Sequence, residues 1–263
     1  MKVLALNGSL RGAKGVTGRI LQSIGEGVGQ AGGAWGVVNL SDLTIEGCRA
    51  CNHCQRAKTY RCILDDKDDV AGVFARMEDA DLLIYASPVY VFGVSSLLKR
   101  FIERIHSRAP VDEVLLTKSG LFFHATQRSL SGKPFVSIVV CDNVENLTVR
   151  NTREYLRIFG RFMDAPRVAH VERRSAAAWL AALEGTDKRA RKRAESVLSA
   201  YVRAGEELVS KGCISPSTRK KAELPFIKIP LPVRVARHVP ALRPFIAGQV
   251  RKRSRLISNR LHL

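Results

Sequence analysis

The chain has 263 residues, with 43 Lys/Arg against 24 Asp/Glu and a net charge of +19. Its 46% hydrophobic and 25% charged content is that of a globular protein, and the length suits one large domain, or one domain of about 150–210 residues plus an appendage. No apolar run approaches the roughly 20 residues of a membrane-spanning helix, and MKVLALNG is too short for the roughly 7–15-residue core of a secretory signal.

KVLALNGS predicts a short buried strand that ends in turn residues. A glycine-rich loop follows, then a helix from about Val16 through TGRILQSIGEGVGQAG, and WGVVNL as a second strand. After a cysteine-rich loop, DDKDDVAGVFARMEDA predicts an amphipathic helix whose acids occupy its first turn, where the helix dipole favours them. DLLIYAS is a third strand, stopped by Pro88, and GVSSLLKRFIERIH a helix. Residues 108–132 are less regular. KPFVSIVVC is a fourth strand, NLTVRNTREYLRIFGRF a helix and PRVAHVE a fifth strand, and the long helix GTDKRARKRAESVLSAYVRAGEELVSKG stops at Gly212. This alternation predicts an α/β protein with a parallel five-stranded sheet covered on both faces, in the flavodoxin-like doubly wound order 2-1-3-4-5.

In such a sheet ligands bind outside the carboxyl ends of the strands. Three loops meet there: Asn7–Thr17, Ser87–Gly93 and Cys141–Glu145. In the first, Gly8, Gly12 and Gly15 let the backbone turn and present amides, while Ser9, Thr17 and Arg11 add donors ahead of a helix N-terminus. That pattern describes a phosphate cradle or a plain turn. It is neither a Walker loop nor a G-x-G-x-x-G fingerprint. In the second loop Tyr90, Phe92 and the backbone to Gly93 suit a flat aromatic ligand, or else cap the core.

GCRACNHCQRAKTYRC places Cys48, Cys51, Cys54 and Cys62 within fifteen positions, spaced C-x2-C-x2-C-x7-C. Such spacing lets one loop wrap a compact iron–sulfur cluster. A zinc site, helped by His53, a redox thiol pair, or plain reduced thiols are the other readings. A cytoplasmic setting is expected, which keeps thiols reduced and disfavours a disulfide framework. Cys141 reads as a small buried hydrophobe and Cys213 stands alone.

NGSLRG and VTG resemble the phosphate loop of the NADPH-dependent FMN reductase and multimeric flavodoxin group, with Val16 where that group usually has Asn. SPVYVFGVSSLLKRFIER resembles its P-x-Y-x-x-x-x-S-x-x-L-K-x-F-x-[DE]-R segment, and the cysteine run with CILDD resembles its iron–sulfur flavoprotein branch. The resemblance covers about residues 1–210. It implies FMN, its phosphate held by Ser9, Arg11, Thr17 and Gly18, and its ring by Pro88, Val89, Tyr90, Phe92 and Gly93. Cys141, Asp142 and Asn143 would approach the ring from the other side. It also implies a [4Fe–4S] cluster on Cys48, Cys51, Cys54 and Cys62, and a dimer or tetramer.

From Lys211 to Leu263 there are 13 Lys/Arg and one acid, Glu223, so this segment carries +12 and residues 1–210 carry +7. The expected organisation is a 1–212 FMN-binding domain, with its cysteine loop at 47–62, and a basic proline-containing arm at 213–263. A solvated, partly ordered tail, or packing on another subunit or an acidic redox partner, suits the arm better than a membrane surface. Nucleic acid suits it least, because its aromatics are only Phe226 and Phe245. After Pro244 a short basic amphipathic helix is expected.

The function expected is electron transfer by a flavin-dependent oxidoreductase. It runs from NAD(P)H or a small ferredoxin-like protein to an acceptor, with FMN and a cluster doing the chemistry and no acid–base side chain nominated. The alternatives are a cluster-free NAD(P)H-dependent FMN or quinone reductase, and a non-enzymatic regulatory or scaffold protein with a basic tail. The cysteine loop, following the second strand, is expected beside the three ligand loops.

Overall fold

The structure, a computed structural model, describes residues 1–57, 59–109, 111–118, 120–227, 229–248 and 251. Continuous apolar runs become strands buried on both faces. KVLALN forms β1 (Lys2–Asn7), and a 3-10 turn at Gly12–Lys14 leads into α1 (Val16–Gln30). β2 (Ala34–Asn39) precedes the cysteine loop, which contains the short α2 (His53–Ala57). Then come α3 (Val70–Glu78), β3 (Leu82–Pro88) and α4 (Ser96–Arg104). Within 108–132, β4 (Val114–Leu116) and β5 (Phe122–His124) pair as an antiparallel ribbon. β6 (Phe135–Val140), α5 (Asn146–Phe162), β7 (Arg167–Arg173), α6 (Ala176–Glu184) and α7 (Lys188–Lys211) follow. α8 (Pro216–Ala222) and α9 (Leu231–Ala236) lie in the basic segment.

The parallel sheet has the order β2-β1-β3-β6-β7. The ribbon adds two strands to the chain order; without it the core strands read 2-1-3-4-5. The pleat sends alternate side chains to opposite faces. Val3, Ala5, Ile84 and Ile138 meet Ile20, Ile24, Trp179 and Tyr201 from α1, α6 and α7. Leu4, Leu6, Tyr85 and Val139 meet Phe74, Leu98, Phe101 and Leu156 from α3, α4 and α5.

Two local expectations are corrected. The acids of DDKDD precede α3, whose first turn holds none. Asp65, Asp68 and Asp69 instead bond Arg104, Arg108 and the Thr44 and Glu46 amides; the Arg104–Asp65 bond is buried, where it is stronger than a dipole contact in water. The run AAAWLAALE, passed over in the sequence, forms α6 and buries Trp179, whose indole N–H donates to Ala194 O at 3.2 Å.

α1 and α7 cross backbone to backbone. A Cβ on Gly27 would lie 1.8 Å from Val202 O, and one on Gly205 2.0 Å from Ile24 O. The chain after Gly212 stays on this layer: Ile214, Thr218 and Ala222 are buried, and Leu224 and Phe226 pack on the same core. Glu207 pins the connection, accepting from the Ser215 amide at 2.8 Å and its hydroxyl at 2.9 Å. Residues 243–248 are helical, and the rest of the expected basic helix, apart from Arg251, lies outside the described residues.

Gly205→Ala should destabilise the protein by about 3 kcal/mol or more in urea denaturation. Gly29→Ala, with nothing within 4 Å of its Cβ, should be neutral or stabilising by under about 1 kcal/mol. Equal effects at the two positions would refute the close crossing. Glu207 offers a pH test. Burial opposes its ionisation, yet the Ser215, Thr218 and Lys211 donors bring its pKa down to about 2. A depressed carboxyl stabilises above its unfolded pKa and loses that contribution as pH falls. Glu207→Gln should therefore destabilise by about 2–3 kcal/mol at pH 7, with the difference fading between about pH 5 and pH 2. A pH-independent difference would remove the ionic role.

Candidate functional site

The first loop is built by Asn7 at the end of β1. Its side-chain amide donates to Gly12 O and Asn39 Oδ1, both at 3.0 Å, and its oxygen accepts from the Ser9 amide at 3.1 Å. Gly12 takes a left-handed φ of 52°, which glycine tolerates best. Ser9 and Thr17 are buried, and Arg11 is exposed. A Cβ on Gly15 would lie 2.9 Å from Ser9 Oγ, and one on Gly18 2.4 Å from Ala13 O, so the loop folds tightly over the start of α1. No side chain caps that helix; its cap position is Gly15. The result is a helix N-terminus with hydroxyls beside it, a setting that suits an anion.

The second loop packs against the first. The Gly8 amide donates to Ala86 O at 2.8 Å, and a Cβ on Gly8 would meet Ser95 Oγ at 2.7 Å. After Pro88, Val89 is half-buried and its amide donates to Val140 O. Tyr90 and Gly93 bond each other in both directions, at 3.1 and 3.0 Å, around Val91 and Phe92. Those two have φ of 46° and 63°, the left-handed pair that Asn-Gly ordinarily supplies. A β-branched residue there stores roughly 1–3 kcal/mol of strain, which clusters at ligand sites. Tyr90, Val91 and Phe92 are all exposed. Ser95 closes the loop, capping α4 through the Leu98 amide.

In the third loop Cys141 is buried, and its thiol donates to Asn143 O at 3.3 Å. Burial, with Asp142 adding, pushes that thiol up to about 11, so it stays protonated at neutral pH. Asp142 accepts from the Ala177 amide at 2.7 Å, holding the start of α6, and Asn143 accepts from the Glu145 amide. Thus the three loops lie at the carboxyl ends of β1, β3 and β6, the first against the second and the second tied to the end of β6.

The cysteine loop closes against the end of α4. Cys48, Cys51, Cys54 and Cys62 line one cavity with Arg104, His106 and Ser107, at the carboxyl end of α4. α4, nine residues and so about 13 Å long, runs from the ring loop to this cavity, and Thr44 and Glu46 before the loop bond Asp69 and Asp68, which lead into α3. Gln55 holds the loop there, donating to His106 O at 2.8 Å and accepting from the Val111 amide at 2.8 Å.

Arg104 is the anchor. It is 1% exposed, donates to Glu46 O at 3.1 Å and Asp65 Oδ1 at 3.2 Å, and pairs with Asp68. Asp65 also accepts from the Cys62 amide at 3.0 Å and from Arg108 at 2.8 Å. The Arg104 Nε is buried with no partner among the described residues. Burial raises the Cys54 thiol, and Cys62 and Cys48 raise it further, as electrostatic neighbours do. Among the described residues no three of His, Cys, Asp and Glu stand close enough for a single metal ion. Four thiols line one cavity, and Arg104, with a buried N–H that has no partner among the described residues, lines it too, a donor set suited to a thiolate-ligated group.

Sequence reading missed Asn7, Arg104, Asp65, Asp68 and Arg108. The signals present for them were CILDD, which contains Asp65, the SPVYVFGVSSLLKRFIER segment, which ends on Arg104, and an acid run three residues after a cysteine motif. Arg104→Ala should lower stability by about 3–5 kcal/mol in urea, because buried Asp68 loses its counter-charge and buried Asp65 keeps only Arg108. A loss below about 1 kcal/mol would show that the clamp is not structural.

A family model described as NADPH-dependent FMN reductase matches residues 1–172. Over 104 residues the chain is 32% identical to an iron–sulfur flavoprotein of Archaeoglobus fulgidus, covering 40% of this chain and 48% of that protein. An iron–sulfur flavoprotein of Methanocaldococcus jannaschii is 32% identical over 105 residues, covering 40% of this chain and 51% of its own. The chain thus spans about half the length of these curated relatives. An FMN-dependent NADH-azoreductase from Bacillus anthracis has the same fold, with a TM-score of 0.54 at 14% identity over 79% of this chain and 99% of that one. With a match across well over half its length, the chain belongs to the NADPH-dependent FMN reductase family.

Proposed function

We propose that the protein is an FMN-dependent oxidoreductase that carries electrons from NAD(P)H or a small ferredoxin-like protein to an acceptor, using a [4Fe–4S] cluster on Cys48, Cys51, Cys54 and Cys62. The observation that carries this reading is the single cavity lined by four thiols beside the buried, unpartnered Arg104 Nε. The family match and the names of two relatives support it.

Ser9, Thr17, Gly18 and the amides opening α1 would hold the FMN phosphate, with Arg11 supplying the positive charge that the helix end begins. The peptide groups from Pro88 and Val89 to Gly93 would meet the ring edge, and Tyr90 and Phe92 its faces. The Val91–Phe92 turn leaves Tyr90, Val91 and Phe92 exposed. Cys141, Asp142 and Asn143 would close the other side, with Cys141 remaining a neutral thiol. Flavin supplies two-electron or one-electron exchange and a cluster supplies one-electron exchange, so together they connect the two kinds of carrier. The Arg104 N–H and its positive charge would favour the more negative, reduced state of the cavity's contents. Residues 1–212 form the FMN-binding part and 213–263 the basic arm in this reading. The protein is a dimer or tetramer in a cytoplasmic setting, where thiols stay reduced. Among the described residues no helix is long and apolar enough to cross a membrane.

Protein purified without air should carry FMN with about four iron and four sulfide per chain. Cys51→Ala should remove the iron while FMN remains. FMN without iron in the wild type would leave a cluster-free reductase, and a protein that takes up no FMN would leave a scaffold.

A further inference from the structure

The segment beyond Phe226 contains an apolar row that the fold does not bury. Leu231, Val235 and Phe245 are 70%, 62% and 68% exposed, and Val239 and Leu242 are each 43% exposed. Their spacing of four, four, three and three residues follows the helical repeat. Leu231 and Val235 share a face of α9, and Phe245 belongs to the helical stretch 243–248. Exposed Arg234 and Arg243 lie between them. Residues 224–263 contain nine Lys/Arg and no Asp or Glu.

Among the described residues the segment is held to the core near Phe226 and at Arg237. At its root the Phe226 ring lies against Arg173 and Arg193, with centroid distances of 5.7 and 5.1 Å. Further on, Arg237 pairs with Glu145 of the third ligand loop. The apolar row is therefore presented outward from a tethered segment.

We infer that this arm docks the protein on an anionic lipid surface. Cations would meet the headgroups, and the aliphatic row would enter the headgroup–acyl boundary. A second copy of this chain matches the surface less well. Each copy carries +19, of which +12 lies at 211–263, so arm-to-arm packing would bring like charges together. Nucleic acid satisfies the charge but offers nothing to Leu231, Val235 and Leu242, and Phe226 is already engaged with two arginines. A bilayer satisfies both features. The inference stands apart from the flavin reading. If both hold, the Arg237–Glu145 pair sets the ligand loops close to the bilayer, where a lipophilic acceptor is reached.

The test is sedimentation of the full-length holoprotein with vesicles of phosphatidylcholine alone or with one third phosphatidylglycerol by mole fraction. Binding should require phosphatidylglycerol, be at least tenfold stronger than to phosphatidylcholine, and weaken with salt. The double variant Leu231→Asp, Phe245→Asp should lose at least tenfold. Arg234→Glu with Arg243→Glu should lose about twenty-five-fold or more, at about fivefold per cation. Flavin content and thermal midpoint, read on each variant, separate loss of docking from loss of fold. Equal binding to both vesicles, or none, overturns the inference. It is also overturned if the apolar variant binds like wild type while duplex DNA displaces the vesicles, which assigns the arm to nucleic acid. Conversion of an oligomer to a monomer by that variant, with vesicle binding unchanged, assigns the face to a second copy.

Discussion

The guanidinium of Arg104 holds both ends of the cysteine loop at once. It takes Glu46 O before the loop and Asp65 and Asp68 after it, inside a region from which water is excluded. Asp68 in turn accepts from the Glu46 amide at 3.0 Å, so the two ends are also bonded to each other. A buried ion pair of this kind gains little net stability over an apolar packing, but breaking it is strongly unfavourable. Its effect here is one of position: four thiols carried on an exposed loop acquire a defined place against α4.

α4 carries that order to the other site. Its amino end is capped by Ser95, which is itself set by Ser87 through a 2.9 Å bond and packed under Gly8. The phosphate-type loop, the strained turn and the cysteine cavity are thus connected by one helix with contacts at both ends. On the opposite face, α1 is held by its glycine crossing with α7. The chain after α7 folds back onto that layer and reaches the third loop through Arg237.

Much of this was legible in the residues. The strands KVLALN and FVSIVV read as buried because they are apolar without alternation, and parallel strands between two helical layers have no solvent face. The motif residues from Ser9 to Gly18 and Pro88 to Gly93 could be assigned to loops because strand ends and Gly/Pro punctuation mark them. The acids after Cys62 were misread because local rules know only the helix dipole. They cannot see an arginine that is 36 or 39 residues away in sequence. The β4–β5 ribbon escaped because three-residue strands carry too little pattern. α6 escaped because AAAWLAALE has no polar face to give it a period.

The order of elements, the doubly wound sheet, the ligand-loop residues and the clustering of four thiols follow from the sequence, since each depends on periodicity or on spacing within a few residues. Tertiary structure alone decided that the thiols stand against the carboxyl end of α4, beside the Arg104 clamp. It also decided that Glu207 fastens the start of the basic segment and that Leu231, Val235 and Phe245 face outward. Those outcomes depend on contacts between distant segments, where burial turns an ordinary arginine or glutamate into an anchor and leaves an aliphatic row without a partner.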